Sequence, residues 1–292
     1  MIHAPRKQRT LARPAVVDGF GYWSGRDVRV EFRPAASGSG VIFVRTINGR
    51  AVKIPASVTH RVESPRRTNL SVKAGSVEMV EHVLSALAGL RIDNCEVHVT
   101  EAEMPGCDGS CQAMVLALDE AGVVEQEGIR TQLIVREVTR LGDDEHWIEA
   151  RPNKHGGMTV KFRLDYGTGN AIGRQTLQLP VTPDSFRREI CSARTFLLKE
   201  EADWLVAQGL GSRATPQDLL IFDQNGPIEN ELRFPDECVR HKVLDLIGDL
   251  ALAGCDLVGH FIAHRSGHRL NADLVRVLLS EGERVEVRKK SA

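Results

Sequence analysis

His241, Asp245 and Asp249 fall four residues apart in Arg240-His-Lys-Val-Leu-Asp-Leu-Ile-Gly-Asp-Leu250, so on a helix they share one face. An imidazole and a carboxylate one turn apart can converge on one metal ion, and a carboxylate a further turn along can orient a neighbouring group. Elsewhere His82 directly follows Glu81. In such a pair one side chain can ligate a metal while the other accepts a proton from activated water. Neither HExxH nor its inverse HxxEH surrounds them, which speaks against a zinc protease.

His268 lies in Arg265-Ser-Gly-His-Arg-Leu-Asn271, which reads as a glycine-containing turn after a strand. There it could serve as a protonated acid or support an oxyanion, with Asp249 holding it charged. Thr195, in Ser192-Ala-Arg-Thr-Phe196, could donate to the same oxyanion. Each residue has a plainer reading when taken singly: solvated His and Asp on a surface helix, a structural loop histidine, a satisfied turn threonine. Cys107 and Cys111 flank Asp108-Gly109, where loop or buried thiols are the plainer alternative to a metal site.

These side chains need elements to hold them. Val80, Val83, Leu84 and Leu87 follow the i, i+3, i+4, i+7 pattern, predicting a helix over 76–90 that leaves Glu78, Glu81, His82 and Ser85 on other faces. A second long helix is predicted over 235–253, with Val239, Val243, Leu246 and Leu250 toward a core and Gly254 at its end. Gly248 in its middle costs about 1 kcal/mol relative to alanine, which close approach by the other helix or by substrate would offset. Segments 28–33 and 40–45 read as a hairpin, 94–100 as a strand, 105–109 as a turn, and 110–121 as a helix ended by Gly122. Strands follow at 132–136, 146–150 and 158–163, helical signals at 183–186 and 199–208, and a strand at 257–264. The order predicts two α+β domains, each with helices on a mostly antiparallel sheet.

Composition sets the outer limits. Lys plus Arg (38) nearly balance Asp plus Glu (39) over 292 residues, for a net charge of -1, which gives no reason to expect nucleic acid or a membrane surface as partner. The six cysteines contain no CxxC and read as reduced thiols in a cytoplasm. The basic N-terminus is followed by no apolar signal region, and no apolar run reaches membrane-spanning length. A soluble cytoplasmic monomer without an integral membrane segment is expected.

Taken together, Gly19-Phe-Gly-Tyr-Trp-Ser-Gly25, Val80-Glu-His-Val-Leu-Ser-Ala-Leu-Ala-Gly89, Ile92-Asp-Asn94, Asp108-Gly-Ser110, Ala193-Arg-Thr-Phe196, Leu232-Arg-Phe234, residues 240–250 and Ser266-Gly-His-Arg-Leu-Asn271 resemble the UDP-3-O-acyl-N-acetylglucosamine deacetylases. The matches run in family order over about residues 8 to 280. The resemblance implies a zinc-dependent amidohydrolase that removes acetate from the glucosamine nitrogen of a UDP-linked, 3-O-acylated sugar, the committed step of lipid A biosynthesis. It implies two similar α+β domains, here 8–124 and 128–282, with the active site between them. The first supplies Glu81 and His82; the second supplies Thr195, His241, Asp245 and His268 and carries an insert forming a passage for the acyl chain.

Carried onto this chain, the resemblance makes His82, His241 and Asp245 the zinc ligands and Glu81 the general base. His268 becomes the cation or acid, oriented by Asp249, with Thr195 donating to the oxyanion and Lys242 and Phe196 contacting substrate. Ala202, Leu205 and Leu210 are candidates to line the acyl passage, with core packing as the alternative, and Tyr166 is a candidate to stack on uracil. A His2Asp set with open positions also suits Fe2+. Tyr22-Trp23 stands where the family usually has Leu-His, and Leu197 where it has Gly, so pocket shape is expected to differ. The alternatives are a divergent amidase on another acylated sugar nucleotide and a non-catalytic sugar-nucleotide or acyl-chain binding protein.

Overall fold

The computed structural model describes residues 6–285. Six α-helices occur among them, besides short 3-10 and π turns: α1 (Glu81–Gly89), α2 (Gln112–Ala121), the single turn α3 (Pro183–Ser185), α4 (Lys199–Ala207), α5 (Glu237–Leu250) and α6 (His268–Glu281). Helices α1 and α5 pack against each other at the centre. Val239, Val243, Leu246 and Leu250 of α5 and Val83, Leu84 and Leu87 of α1 are all buried, as their helical spacing requires. The other faces are buried as well, because Glu81, His82, His241, Asp245 and Asp249 lie at 5% exposure or less. A solvated surface helix is therefore not what the 240–250 spacing describes.

Gly248 is where the two helices touch most closely. A Cβ built there would lie 2.1 Å from the Glu81 carbonyl oxygen, so the contact is backbone to backbone and cannot be relieved by a rotamer change. Gly248→Ala should destabilise the fold by about 1–3 kcal/mol, the cost of overpacking exceeding alanine's helical advantage. Chemical unfolding checks this; equal or greater stability would mean that the helices do not meet as described.

In the first half of the chain a five-stranded sheet runs in the order Ala15–Phe20, Asp27–Pro34, Cys95–Val99, Val41–Ile47, Arg50–Pro55. The expected hairpin between 28–33 and 40–45 does not form. Cys95–Val99 lies between those strands, antiparallel to the first and parallel to the second. Cys95, Val97 and Val99 are buried, and a strand with that apolar face gains most as the middle strand. In the second half, Asp256–His264 is the hub of a seven-stranded sheet, pairing with Gln132–Ile134, Trp147–Arg151 and Met158–Asp165. Together these make an α+β fold of mixed, largely antiparallel sheets. Strand Val123–Ile129 pairs back onto Lys7–Leu11, so the stretch between the halves is part of a ladder.

Two expected elements change at their ends. Residues 75–77 form a strand, and Met79 sits at φ 58°, a conformation that a right-handed helix cannot contain; α1 therefore starts at Glu81, not at 76. His268 is not in a loop: the turn ends at Gly267, and His268 opens the 14-residue helix α6. No helix among the described residues is long and apolar enough to cross a membrane.

Candidate active site

The first turn of α1 and the middle of α5 bring Glu81, His82, His241 and Asp245 to the floor of one cleft, of about 1210 Å³, whose wall includes Thr195, Lys242 and His268. His82 Nε2 and His241 Nε2 lie 3.7 and 3.4 Å from the same Asp245 oxygen, Oδ1. The two rings meet edge-on with centroids 5.1 Å apart. These separations are too long for good hydrogen bonds and close to the spacing of ligands around one ion held by bonds of about 2.0–2.1 Å.

Several further observations fit a metal. One ligand atom from each of the three residues lies within 4.8 Å of the others. His241 Nδ1 is 3.1 Å from the Ala193 carbonyl, so Nδ1–H donates there and Nε2 keeps its lone pair toward the cleft. Burial pushes the His241 pKa down to about 4, keeping it neutral near pH 7. Burial alone would raise the pKa of Asp245, but Lys242 and His241 outweigh it and hold the carboxyl well below the usual range. At His82 the corresponding second-nitrogen bond is lacking: Nε2 faces Asp245 and Nδ1 is buried with no hydrogen-bond partner among the described residues.

Beside the triad stand two further ionisable groups. Glu81 Oε2 accepts the Thr68 N–H at 2.9 Å, and burial raises the pKa of its carboxyl, against the opposing pull of His268 and His82. His268 Nδ1 donates to Asp249 Oδ2 at 2.9 Å. Burial would lower the His268 pKa, but the Asp249 charge and hydrogen bond overcome it and lift it to about 9. Asp249 also accepts from Asn271 Nδ2 at 2.8 Å and from Thr68 Oγ1 at 2.5 Å.

Thr68 and Asn271 carry no role in the sequence reading. Thr68 binds the Glu81 carboxylate through its backbone and Asp249 through its side chain, linking the two buried carboxylates; nothing in Arg66-Arg67-Thr68-Asn69 signals this. Asn271 lies within the motif quoted around His268, one turn further along α6.

Thr195 is held against α5 by a buried ion pair in which Arg194 Nε donates to Glu237 Oε1 at 2.7 Å. Its hydroxyl has two acceptors within reach, the Gly109 carbonyl at 3.0 Å and His241 Nε2 at 3.1 Å. A bond to an oxyanion therefore requires that hydroxyl to leave Gly109. Lys242 Nζ donates to Asp245 Oδ2 at 2.7 Å. Tyr166 and Phe196 stack edge-on at 6.0 Å, and Phe196 meets the His241 ring at 6.2 Å. Ala202, Leu205, Leu210 and Leu197 are among the residues that line the same cleft. Tyr22 and Trp23 both line the cleft: Tyr22 is mostly buried, its hydroxyl donating to the Asp218 carbonyl, and Trp23 has the Arg67 guanidinium 4.7 Å from its ring centroid.

A family profile described as UDP-3-O-acyl N-acetylglycosamine deacetylase matches residues 8–280. The chain belongs to the UDP-3-O-acyl N-acetylglycosamine deacetylase family. Among relatives named UDP-3-O-acyl-N-acetylglucosamine deacetylase, that of Syntrophus aciditrophicus is 35% identical over 94% of this chain and 87% of its own. The Myxococcus xanthus protein is 35% identical over 96% of this chain and 88% of its own. The one from Thermosynechococcus vestitus is 37% identical over 94% of both. Every residue of the cleft described above falls within the matched range.

Proposed function

We propose that the chain is a metal-dependent deacetylase that hydrolyses the N-acetyl group of UDP-3-O-acyl-N-acetylglucosamine, giving UDP-3-O-acyl-glucosamine and acetate in lipid A biosynthesis, in the cytoplasm. The observation that carries this reading is the convergence of His82, His241 and Asp245 between Glu81 and the His268–Asp249 pair, in a chain that belongs to this family. His82, His241 and Asp245 would hold Zn2+; the donor set also accepts Fe2+. When bound, such an ion polarises an acyl carbonyl and makes water a stronger acid.

The protein groups around it divide the proton work. Glu81, with one oxygen fixed by Thr68, takes a proton from the attacking water. The water oxygen bonds to the acetyl carbon, and charge develops on the carbonyl oxygen near the His268 cation and the Thr195 hydroxyl. As the carbon–nitrogen bond breaks, the nitrogen keeps the bonding pair, takes a proton from His268 and leaves as the amine; the acetyl group departs as acetic acid, which ionises to acetate, and the proton on Glu81 is lost to solvent as His268 is reprotonated. Lys242, Phe196 and Tyr166 would hold the sugar nucleotide, and Ala202, Leu205 and Leu210 the acyl chain. The units proposed to meet at this cleft are 8–124 and 128–282.

The direct test is to incubate metal-loaded protein with this substrate and with UDP-N-acetylglucosamine lacking the 3-O-acyl group. Acetate and deacetylated sugar nucleotide should appear in equal amounts from the acylated substrate only. Equal turnover of both compounds would count against the acyl passage, and no turnover of either against the activity.

Two milder expectations follow. With His268 needed as a cation, kcat should be lost as pH rises through about 9, the value to which Asp249 lifts it. Asp249→Asn should move that alkaline limb toward the ordinary histidine value of about 6.5; an unmoved limb would mean that His268 is not the titrating group. Thr68→Val keeps the backbone bond to Glu81 but removes the hydroxyl bond to Asp249, so kcat should fall about fivefold to tenfold with KM little changed. An unchanged kcat in steady-state kinetics would assign Thr68 a purely packing role.

A further inference from the structure

We propose that a second cavity, on the far side of the α1–α5 pair from the catalytic cleft, binds a small amphipathic anion: a carboxylate carried on a short apolar chain, recognised by Arg91. The cavity holds about 310 Å³ and shares no lining residue with the cleft. Its apolar wall comes from Leu84 and Leu87 of α1, Ile247 and Leu250 of α5, and Met158.

The polar rim is unbalanced in charge. It contains three guanidinium groups, Arg6, Arg91 and Arg130, and two carboxylates, Asp93 and Asp256, which leaves an excess of one positive charge. Arg6 binds both carboxylates, through four contacts of 2.7–2.9 Å. Arg130 Nε lies 3.0 Å from Asp93 and 3.4 Å from Asp256. Arg91 is half-buried; its backbone N–H donates to the Ala88 carbonyl at 3.0 Å, but its guanidinium makes no hydrogen bond or ion pair with any described residue. Burial, and then the neighbouring Arg6 charge, push its pKa down, a cost that a bound anion would relieve.

The excess calls for a single negative charge, and the wall for a hydrocarbon portion. A free phosphate dianion would exceed the first and leave the second unused. The position of Arg91 is also unusual, since it sits at φ 58° just after α1, where glycine or asparagine is the unstrained choice. An occupant would rest on the same two helices whose other ends carry Glu81 and Asp245.

The test is calorimetric titration of the metal-loaded enzyme with octanoate; because this probe also fits the catalytic cleft, two variants confined to the second cavity separate the sites. Arg91→Asn suits the backbone at that position and removes the guanidinium; Ala88→Phe fills the cavity, which Ala88 lines, and leaves Arg91 in place. The wild-type protein should show a class of octanoate site that either variant weakens by at least about tenfold, while both variants keep their deacetylase rate. Octylamine and inorganic phosphate should not compete for that class. Octanoate isotherms that are the same in wild type and variants, or equal competition by octylamine or phosphate, would overturn the proposal.

Discussion

Glu81→Gln will lower the rate of acetate release by at least about a hundredfold while metal content stays at the wild-type level. The amide keeps the size of the carboxylate and can still accept the Thr68 N–H, so the first turn of α1 stays in place. What it loses is basicity. Glu81 is 3% exposed and burial raises its carboxyl pKa, which brings it nearer to the strength a base needs at neutral pH. His82, the adjacent residue, keeps its approach to Asp245 at 3.7 Å, which is why metal and activity should separate. Elemental analysis alongside steady-state kinetics checks both, and a variant with near-wild-type turnover would remove Glu81 from the proton transfer.

His268→Gln should cost at least about a hundredfold in kcat, again with metal retained. The loss has two sources: a cation beside the developing negative charge and a proton for the leaving amine. Asp249 becomes a buried carboxylate facing Thr68 and Asn271 but no cation, so some stability goes with it; a thermal melt separates that from the catalytic defect. KM should change less than kcat, because the interaction is made chiefly in the transition state. A variant that loses affinity for substrate but keeps kcat would make His268 a binding residue.

Much of this cleft is legible in the chain, for a local reason. Spacing of four residues fixes a helical face whatever the rest of the fold does, so His241, Asp245 and Asp249 come out aligned from sequence alone. Gly248 adds a long-range hint, since a mid-helix glycine needs a compensating contact, and the contact is the Glu81 backbone itself. That His82 faces this helix is not a local property. It became readable only through the order of many motifs along the chain.

The misreadings have physical causes too. The segments 28–33 and 40–45 are neighbours in sequence, but their shared partner, Cys95–Val99, arrives more than fifty residues later, and the gain of burying a central strand overrides the short connection. Helix α6 could have been found: Leu270, Leu274, Val275 and Leu278 repeat with helical spacing, and Leu274, Val275 and Leu278 are buried. Placing His268 at the start of that helix rather than in a loop explains how it is fixed so near Asp249. Thr68 could not have been found, because its bond to Asp249 joins positions 181 residues apart.

The proposed metal centre of His82, His241 and Asp245 is tested most directly by removing and restoring the metal. Chelator-stripped protein titrated with Zn2+ should regain acetate release from UDP-3-O-acyl-N-acetylglucosamine in proportion to metal added, reaching a plateau at about one equivalent. Full turnover by the stripped protein, or none after zinc is restored, would contradict it.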